Sequence, residues 1–399
     1  MTQTVPRRVL PLIVLSQFAG TSLWFAVNAV MPDLQQAWGL PATAVGTLTS
    51  AVQLGFVAGT LVFALLMVAD KFSPSRVFMA CALLGALANA ATLWIGGSFG
   101  LLLALRFAVG FLLAGIYPVG MKIAASWYRQ GLGAAMGVLI GALILGTALP
   151  HGLRALVGEG GGSLLPSWQS VVLGVSLLAA AGGLLTGLFV PESPWLQRGA
   201  RITPAALHLI WSDRKLRASV FGYFGHMWEL YSYFVLVPLI VGLRWTGSAQ
   251  SAAAFFIIAA GFIGCVGGGL LVRRWGSARV AQRQLAISGV CCLLAPLMLQ
   301  APDALFLGWL LLWGLTVSGD SPQFSTLTAQ NAPPAAVGSV LTFVNCIGFA
   351  ISVLSIELFV AALPHAPLAV LLPLLGLGPM VGLWMFRPLS RVPYRAPRS

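Results

Sequence analysis

The chain has 399 residues, of which 58% are hydrophobic and only 8% are charged. A soluble globular protein carries about 25% charged residues, because its surface faces water. This composition excludes a soluble enzyme, a disordered regulator and a disulfide-stapled secreted domain. The formal net charge of +13 would point to nucleic acid in a soluble protein, so its meaning depends on where the charges lie.

Twelve apolar stretches are long enough to cross a bilayer, which takes about 20 residues of helix. They are numbered here as spans one to twelve and cover residues 10–31, 43–68, 77–96, 99–123, 132–156, 168–190, 218–241, 250–272, 280–300, 304–326, 337–361 and 367–387. They lack the apolar–polar alternation of a barrel strand. The sequence therefore predicts an all-α membrane protein with twelve transmembrane helices.

The first stretch follows Arg7 and Arg8, as the apolar part of a signal peptide would. It is too long for that role, and a second span follows closely, so we interpret it as a retained helix. The five cysteines all fall inside predicted spans. Their spacing gives neither a disulfide framework nor a metal site, so we interpret them as packing residues.

The basic residues predict the orientation of the chain. With both termini in the cytoplasm, all but three of the 22 lysines and arginines lie at the inner face, the exceptions being Arg106, Arg154 and Arg244. This asymmetry follows the positive-inside rule. The excess charge therefore indicates topology, and nucleic acid is not needed to explain it. We expect a multi-pass protein of the bacterial cytoplasmic (inner) membrane.

A polar linker at residues 191–217 separates two halves, residues 1–190 and 218–399, which repeat at an offset of about 203–206 residues. Spans four and ten share the spacing G-x4-G-x2-P, formed by Gly110, Gly115 and Pro118 and by Gly314, Gly319 and Pro322. A short surface helix is expected at the end of the linker. Parallel repeats of six spans around a site near the midplane are a transporter architecture.

The loop before span three, residues 70–76, reads D-K-F-S-P-S-R. This pattern resembles the loop signature of the major facilitator superfamily, and Arg106 with Gly110 resembles that family's arginine-and-glycine motif in span four. The resemblance implies two pseudo-symmetric six-helix bundles, the major facilitator fold, which rock so that one site opens alternately to each side. It also implies a charge-paired latch of the inner gate, formed by Asp70, Lys71 and Arg76.

The sequence departs from the family pattern in two places. The second copy of the loop has Arg273 at the position of Asp70, so only the first copy can form the acidic latch. Span five, with Gly146, Pro150 and Gly152, matches the family's antiporter motif only loosely. This mismatch argues against a drug-efflux antiporter.

Polar residues form a one-sided stripe in the first helix of each half, because residues three, four or seven apart share a helix face. The stripe in span one consists of Gln17, Thr21, Trp24 and Asn28, and the stripe in span seven consists of His226, Glu229 and Tyr233. In the family these two helices line the central cavity. The resemblance therefore assigns both stripes to substrate binding.

Glu229 is the first candidate for proton coupling, since ionisable residues inside spans are functional by default and desolvation disfavours the charged form of a carboxyl group. His226, one turn away, is expected to share or relay the proton. The alternative is that the two side chains only satisfy each other. Asp320 in span ten is the third coupling candidate, or a ligand for a cationic group of the substrate, or a cap.

Arg106 in span four is expected to bind an anion or to pair with an acid such as Glu229 or Asp320. The alternative is that its side chain snorkels to the outer surface. Tyr117, on the same side of span four, and Asn345, in span eleven, complete the predicted substrate site. Hydrogen bonds between helices explain Asn345 equally well, and the same holds for Gln53 in span two.

These residues predict a secondary active transporter for a small polar or zwitterionic organic solute, with import favoured. Proton coupling is favoured over sodium because titratable residues are visible. An inorganic or organic anion carrier and a proton-driven exporter of amphipathic compounds are the alternatives. The scattered acids and histidines predict no catalytic residue, metal or cofactor, so we expect no enzyme. The expected partners are substrate, protons and the bilayer, with the chain as a monomer and no nucleic acid.

Overall fold

The computed structural model describes residues 6–128, 132–158, 167–196, 205–334 and 336–390. All regular secondary structure in these residues is helical. The part of the predicted linker at residues 197–204 lies outside the described residues. The short surface helix expected after it is present, at Ala205–Ser212.

The spans of the first half are built from ten helices within the described residues. Span one contains Val9–Thr21, Ala26–Ala29 and Met31–Trp38, and span two contains Ala44–Leu65 and Val68–Lys71. Span three is Pro74–Ala91, followed by the additional 3₁₀ helix Thr92–Trp94, and span four contains Phe99–Leu113 and Tyr117–Trp127. Span five is Leu132–Val157, and span six is Ser167–Phe189. The short pieces occur where a span is broken.

The spans of the second half follow the linker helix in the same way. They are Arg214–Val241 in span seven, Gly247–Trp275 in span eight, Ser277–Met298 in span nine, Asp303–Gly319 and Ser321–Asn331 in span ten, Val337–Ala362 in span eleven, and Leu368–Leu375 and Leu377–Ser390 in span twelve. Within the described chain, eleven spans are long and apolar enough to cross a membrane. Span one is shorter only because it is broken, so the predicted all-α, twelve-span fold class is confirmed.

The chain divides into two compact units. The first consists of Met1–Arg201 and Val241–Phe256, and the second of Ile202–Ile240 and Ile257–Ser399. Spans one to six therefore belong to the first unit, and spans seven and nine to twelve to the second. The division predicted from the sequence, at residues 191–217, stays a prediction.

Each unit contains the same close contact between two spans. In both units, a methyl group placed on either of two glycines would overlap a backbone carbonyl oxygen of the facing helix. The facing pairs are Gly110 with Val52, Gly59 with Phe111, Gly314 with Ile257 and Gly264 with Leu315. Corresponding positions are 204 or 205 residues apart, within the predicted offset. The sequence repeat is therefore also a repeat of backbone packing.

We expect Gly110→Ala and Gly314→Ala each to lower the free energy of unfolding by about 1–3 kcal/mol, the usual cost of overpacking. The added methyl group must push spans two and four, or eight and ten, apart. Thermal unfolding in detergent micelles measures the effect. Gly100→Ala and Gly308→Ala are matched controls, because they lie in the same helices with nothing within 4 Å. If the control variants lost as much stability as Gly110→Ala and Gly314→Ala, the close backbone contact would be contradicted.

Spans four and ten are broken at matching positions. The second piece of each span begins at Tyr117 and at Ser321, and each has a proline in its first turn, Pro118 or Pro322. A proline has no backbone N–H to continue the preceding helix, so the hydrogen-bond ladder is interrupted there. The break in span ten leaves Asp320 between the two pieces.

Candidate functional site

Most of the predicted substrate and coupling residues are buried, and they form separate groups within each unit. In the second unit, the Glu229 side chain of span seven is fully buried. Its carboxylate accepts hydrogen bonds from Trp313 Nε1 at 2.6 Å, Ser288 Oγ at 3.0 Å and Cys292 Sγ at 3.2 Å. All three donors are neutral, and Glu229 forms no salt bridge within the described residues. Its charge can therefore be balanced by a proton rather than by a fixed cation.

The Trp313 indole that donates to Glu229 packs against neighbouring aromatic rings. The Trp313 ring lies 4.6 Å from the Tyr233 ring and 5.3 Å from the Trp309 ring, measured between centroids. The Tyr233 hydroxyl donates to the Leu310 carbonyl at 2.8 Å. Tyr233, predicted as a binding residue, thus packs against the indole that binds Glu229. Asn345 is half-buried in span eleven and stays a predicted site residue.

His226 and Asp320 form a second acid-containing pair in this unit. His226 Nδ1 lies 2.8 Å from Asp320 Oδ1, and both side chains are fully buried. Asp320 occupies the N-cap position of the helix Ser321–Asn331, where the helix dipole favours a negative charge. The contact becomes an ion pair when the imidazole is protonated.

The alternative in which His226 and Glu229 only satisfy each other is therefore wrong, whereas their roles in proton coupling stay predictions. The two residues are three apart in span seven, but the structure pairs His226 with Asp320 of span ten, while Glu229 binds donors from spans nine and ten. Side chains on one helix face can still contact different positions of the neighbouring helices. Spacing along span seven carries no information about which helix stands opposite each side chain.

The first unit contains the corresponding cluster of span one, made of neutral groups. Trp24 Nε1 donates to Gln53 Oε1 at 3.2 Å, and Asn28 Nδ2 donates to Thr49 Oγ1 at 2.7 Å. Both acceptors lie in span two, four residues apart. Thr49 was missed by the sequence analysis, although its spacing from Gln53 is the signal that places both on one face.

An aromatic wall adjoins these amides. The Trp24 and Phe56 ring centroids are 4.9 Å apart, and the Phe56 and Tyr117 rings stack at 6.3 Å. Tyr117, predicted as a wall residue, therefore belongs to the same cluster as Trp24. Together these side chains offer flat apolar faces beside neutral hydrogen-bonding groups.

Gln17 and Thr21, which precede Trp24 in the same stripe of span one, are fully buried. The Thr21 hydroxyl donates to the Gln17 carbonyl at 2.7 Å, a bond internal to span one. Neither atom of the Gln17 amide group has a hydrogen-bond partner within the described residues. The Gln17 side chain contacts Gly120 of span four, where a methyl group would overlap Oε1.

Arg106 fills the break in span one. Its side chain is 1% exposed, and Nη2 donates to the carbonyls of Leu23 and Trp24 at 2.7 and 3.0 Å. These carbonyls lie between the helices Val9–Thr21 and Ala26–Ala29. Nη1 donates to Asn89 Oδ1 of span three at 3.0 Å. One guanidinium therefore ties spans one, three and four together.

This arrangement corrects two of the predictions for Arg106. The burial of its side chain contradicts snorkelling to the outer surface, and its partners in the described residues are amide and backbone oxygens rather than an acid. Backbone carbonyls freed by a helix break cannot be located from hydrophobicity alone. Anion binding by Arg106 stays a prediction.

The predicted latch contains one contact that the sequence analysis missed. Lys122 Nζ of span four lies 2.8 Å from Asp70 Oδ1 and donates to the Ala69 carbonyl at 2.9 Å. Lys71 and Arg76 are exposed. The loop between spans two and three is therefore held to the second piece of span four, Tyr117–Trp127, and the gating roles of Asp70, Lys71 and Arg76 stay predictions.

A double-mutant cycle of Asp70→Asn and Lys122→Gln is expected to give a coupling energy of about 0.2–1 kcal/mol. The two side chains are 18% and 26% exposed, so water weakens their attraction as in other surface pairs. Thermal unfolding in low and high salt measures it, and salt should reduce the coupling. Coupling above about 2 kcal/mol would contradict a surface-type pair.

The chain was compared with known proteins. A sequence model of the Major Facilitator Superfamily matches residues 13–356, whereas no curated protein matches the chain. Among solved structures, the human organic anion transporter MFSD10 (TETRAN) is 17% identical, with a TM-score of 0.74 and coverage of 96% of this chain and 100% of that one.

Two further structures are similar at comparable coverage. The proton:xylose symporter XylE, bound to 6-bromo-6-deoxy-D-glucose, is 12% identical, with a TM-score of 0.74 and 96% of each chain covered. A bacterial homologue of the human lysosomal transporter Spinster, inward-facing and unoccupied, is 13% identical, with a TM-score of 0.67 and coverage of 96% of this chain and 95% of that one. At these identities the likeness concerns the fold.

Twelve apolar spans arranged as two repeats, with ionisable side chains buried inside them, define a multi-pass membrane protein of the transporter class. The family match makes the assignment specific: the chain belongs to the Major Facilitator Superfamily. Members of this family are secondary transporters of small molecules and not enzymes. Substrate and coupling ion are not given by membership.

Proposed function

We propose that the chain is a proton-coupled importer of a small polar or zwitterionic organic solute, working by alternating access in the bacterial inner membrane with both termini in the cytoplasm. One observation carries the proposal. A fully buried carboxylate, Glu229, has three neutral donors and no salt-bridge partner in the described residues. An intramembrane acid of this kind is typical of proton relays.

The chemistry of the partners favours a proton over a sodium ion. Hard cations bind oxygen ligands, whereas Glu229 is surrounded by an indole N–H, a thiol and a hydroxyl that donate to it. These donors occupy the oxygen lone pairs that a metal cation would use. A proton needs only one of those positions. Once bound, it makes the Glu229 carboxyl group a weaker acceptor for the indole N–H of Trp313 in span ten.

The pair His226–Asp320 supplies a second titratable site in the same unit. Both side chains are fully buried and the two atoms are 2.8 Å apart, so gain of one proton changes the net charge of the pair from minus one to zero, and loss of that proton reverses the change. Span ten contributes both Trp313 and Asp320. Protonation at either site therefore changes a contact between span seven and span ten, which supports coupling of proton binding to helix movement.

The substrate class is inferred from the groups that each unit offers by itself. In the first unit, Trp24, Phe56 and Tyr117 supply apolar faces, and Gln53 and Asn28 supply neutral amides. In the second unit, Glu229 and Asp320 are buried acids, which suit an ammonium group. These groups favour a polar or zwitterionic solute over an anion, because the guanidinium of Arg106 is already bound to carbonyls.

A thermal-shift screen of purified protein at two pH values tests the proposal. Amino acids, sugars, organic acids and amphipathic cations are the probes, and a ligand well above its Kd stabilises by a few kcal/mol. We expect stabilisation by a zwitterionic or neutral polar probe, with a weaker dependence on pH in Glu229→Gln than in wild type. Stabilisation only by organic anions or only by amphipathic cations would contradict the proposed substrate class.

A further inference from the structure

The linker helix and the start of span seven form a fixed joint, which we call the elbow (residues 205–217). The helix Ala205–Ser212 is followed by a single residue, Asp213, and then by span seven. Asp213 Oδ1 accepts from the Leu216 backbone N–H at 2.7 Å, as an N-cap does. Arg217 Nη1 reaches back to the Trp211 carbonyl at 2.7 Å. The angle between the two helices is therefore set by hydrogen bonds from both sides.

The elbow has apolar side chains on two faces. Ala206, Ile210 and Leu216 are buried, and the helix Ala205–Ser212 packs against Val337–Ala362 of span eleven. Leu207 is 36% exposed and Trp211 58% exposed, and the Trp211 ring also contacts Phe221 edge-on. The side of the helix with Ala206 and Ile210 already fixes it to the protein. The opposite side, with Leu207 and Trp211, which we call the outer face, is therefore available to contact lipid. Tryptophan beside a span end is typical of the membrane–water interface.

Positive charge adjoins this outer face. Arg214 and Lys215 follow Trp211 closely and are both exposed. The acid between them and the tryptophan, Asp213, uses its carboxylate to cap span seven. A short apolar face next to basic residues is the pattern of helices that lie in the interfacial plane, and basic residues near a bilayer attract anionic lipids.

We propose that the elbow is a binding surface for anionic phospholipid headgroups of the inner leaflet. Trp211 and Leu207 lie at the level of the acyl-chain boundary, and Arg214 and Lys215 bind the phosphate groups. The elbow continues directly into span seven, which carries His226 and Glu229. Anionic lipid therefore fixes the inner end of the helix that holds two of the proton-coupling candidates. The inference stands without any particular solute or coupling ion.

A nitroxide label at position 208 tests this surface. His208 is exposed beside Leu207, and the five native cysteines are buried, so His208→Cys gives one accessible thiol. The labelled protein is reconstituted in phosphatidylcholine alone and in equal parts of phosphatidylcholine and phosphatidylglycerol. We expect the anionic lipid to lower the mobility of the label and to raise its collisions with oxygen relative to an aqueous nickel complex.

Charge removal at two places separates the elbow from general surface charge. Arg214→Gln/Lys215→Gln should weaken the response to phosphatidylglycerol by about fivefold for each charge removed, and Trp211→Ser should reduce the oxygen collisions. Arg273→Gln/Arg274→Gln removes the same charge at the exposed end of span eight and should leave the response intact. The proposal would be overturned if the mobility and oxygen collisions of the label were the same in both lipids. It would also be overturned if the Arg214/Lys215 and Arg273/Arg274 double variants weakened the response to phosphatidylglycerol equally.

Discussion

Replacing Glu229 with glutamine is expected to lower substrate-driven proton flux at least about tenfold, as loss of an intramembrane proton relay should. Glutamine keeps the size of the side chain and an oxygen that accepts from Trp313, but it cannot bind and release the proton. Solute exchange at equal concentrations on both sides needs no net proton movement and should persist. Flux of protons and of labelled solute is measured together in proteoliposomes.

Glu357→Gln is the matched control for this variant. The same chemical change is made in span eleven, at a half-buried residue outside the Glu229 cluster, and coupled flux should stay at the wild-type level. Retention of coupled proton flux by Glu229→Gln would remove Glu229 from the mechanism. Loss of both proton flux and solute exchange, with lowered stability, would assign Glu229 to packing alone.

Arg106→Met is expected to lower the free energy of unfolding by about 2–4 kcal/mol. Three oxygen acceptors lose a charged donor, and a buried acceptor left unpaired is costly, although polar contacts inside membranes are individually modest. The break in span one then has no donor from span four. Thermal unfolding in detergent measures the loss.

Two other arginine variants give the comparison for Arg106→Met. Arg106→Lys keeps the charge but not the forked geometry that reaches Asn89 and the Leu23 and Trp24 carbonyls together, so an intermediate loss is expected. Arg279→Met removes an exposed arginine and should change stability by less than about 0.5 kcal/mol. If Arg106→Met were as stable as Arg279→Met, the proposed tie between spans one, three and four would be wrong.

The parts of the fold that depend on local composition could be predicted from the sequence. The spans follow from the length of apolar runs, and the repeat of Gly110 and Gly314 marks positions where helices touch backbone to backbone. Both properties can be recognised in the amino-acid sequence of a single chain. The same holds for the stripe of Trp24 and Asn28, because helical periodicity alone places these residues on one face.

The partners of the buried polar groups could not be predicted in the same way. His226 contacts Asp320 rather than Glu229 because the break in span ten carries Asp320 to that side of span seven. Arg106 binds carbonyls that become available only where span one is broken. Lys122 reaches Asp70 from a helix more than fifty residues further along the chain. Each of these depends on which helices are neighbours.

Proteoliposomes with an imposed pH gradient test the central claim most directly. With the outside made acidic and a solute from the thermal-shift screen at equal concentration on both sides, the solute should accumulate inside while protons enter with it. Accumulation should stop when a protonophore collapses the gradient. Accumulation that survives the protonophore, or that is driven equally by a sodium gradient at constant pH, would contradict proton coupling through the buried acids of the second unit.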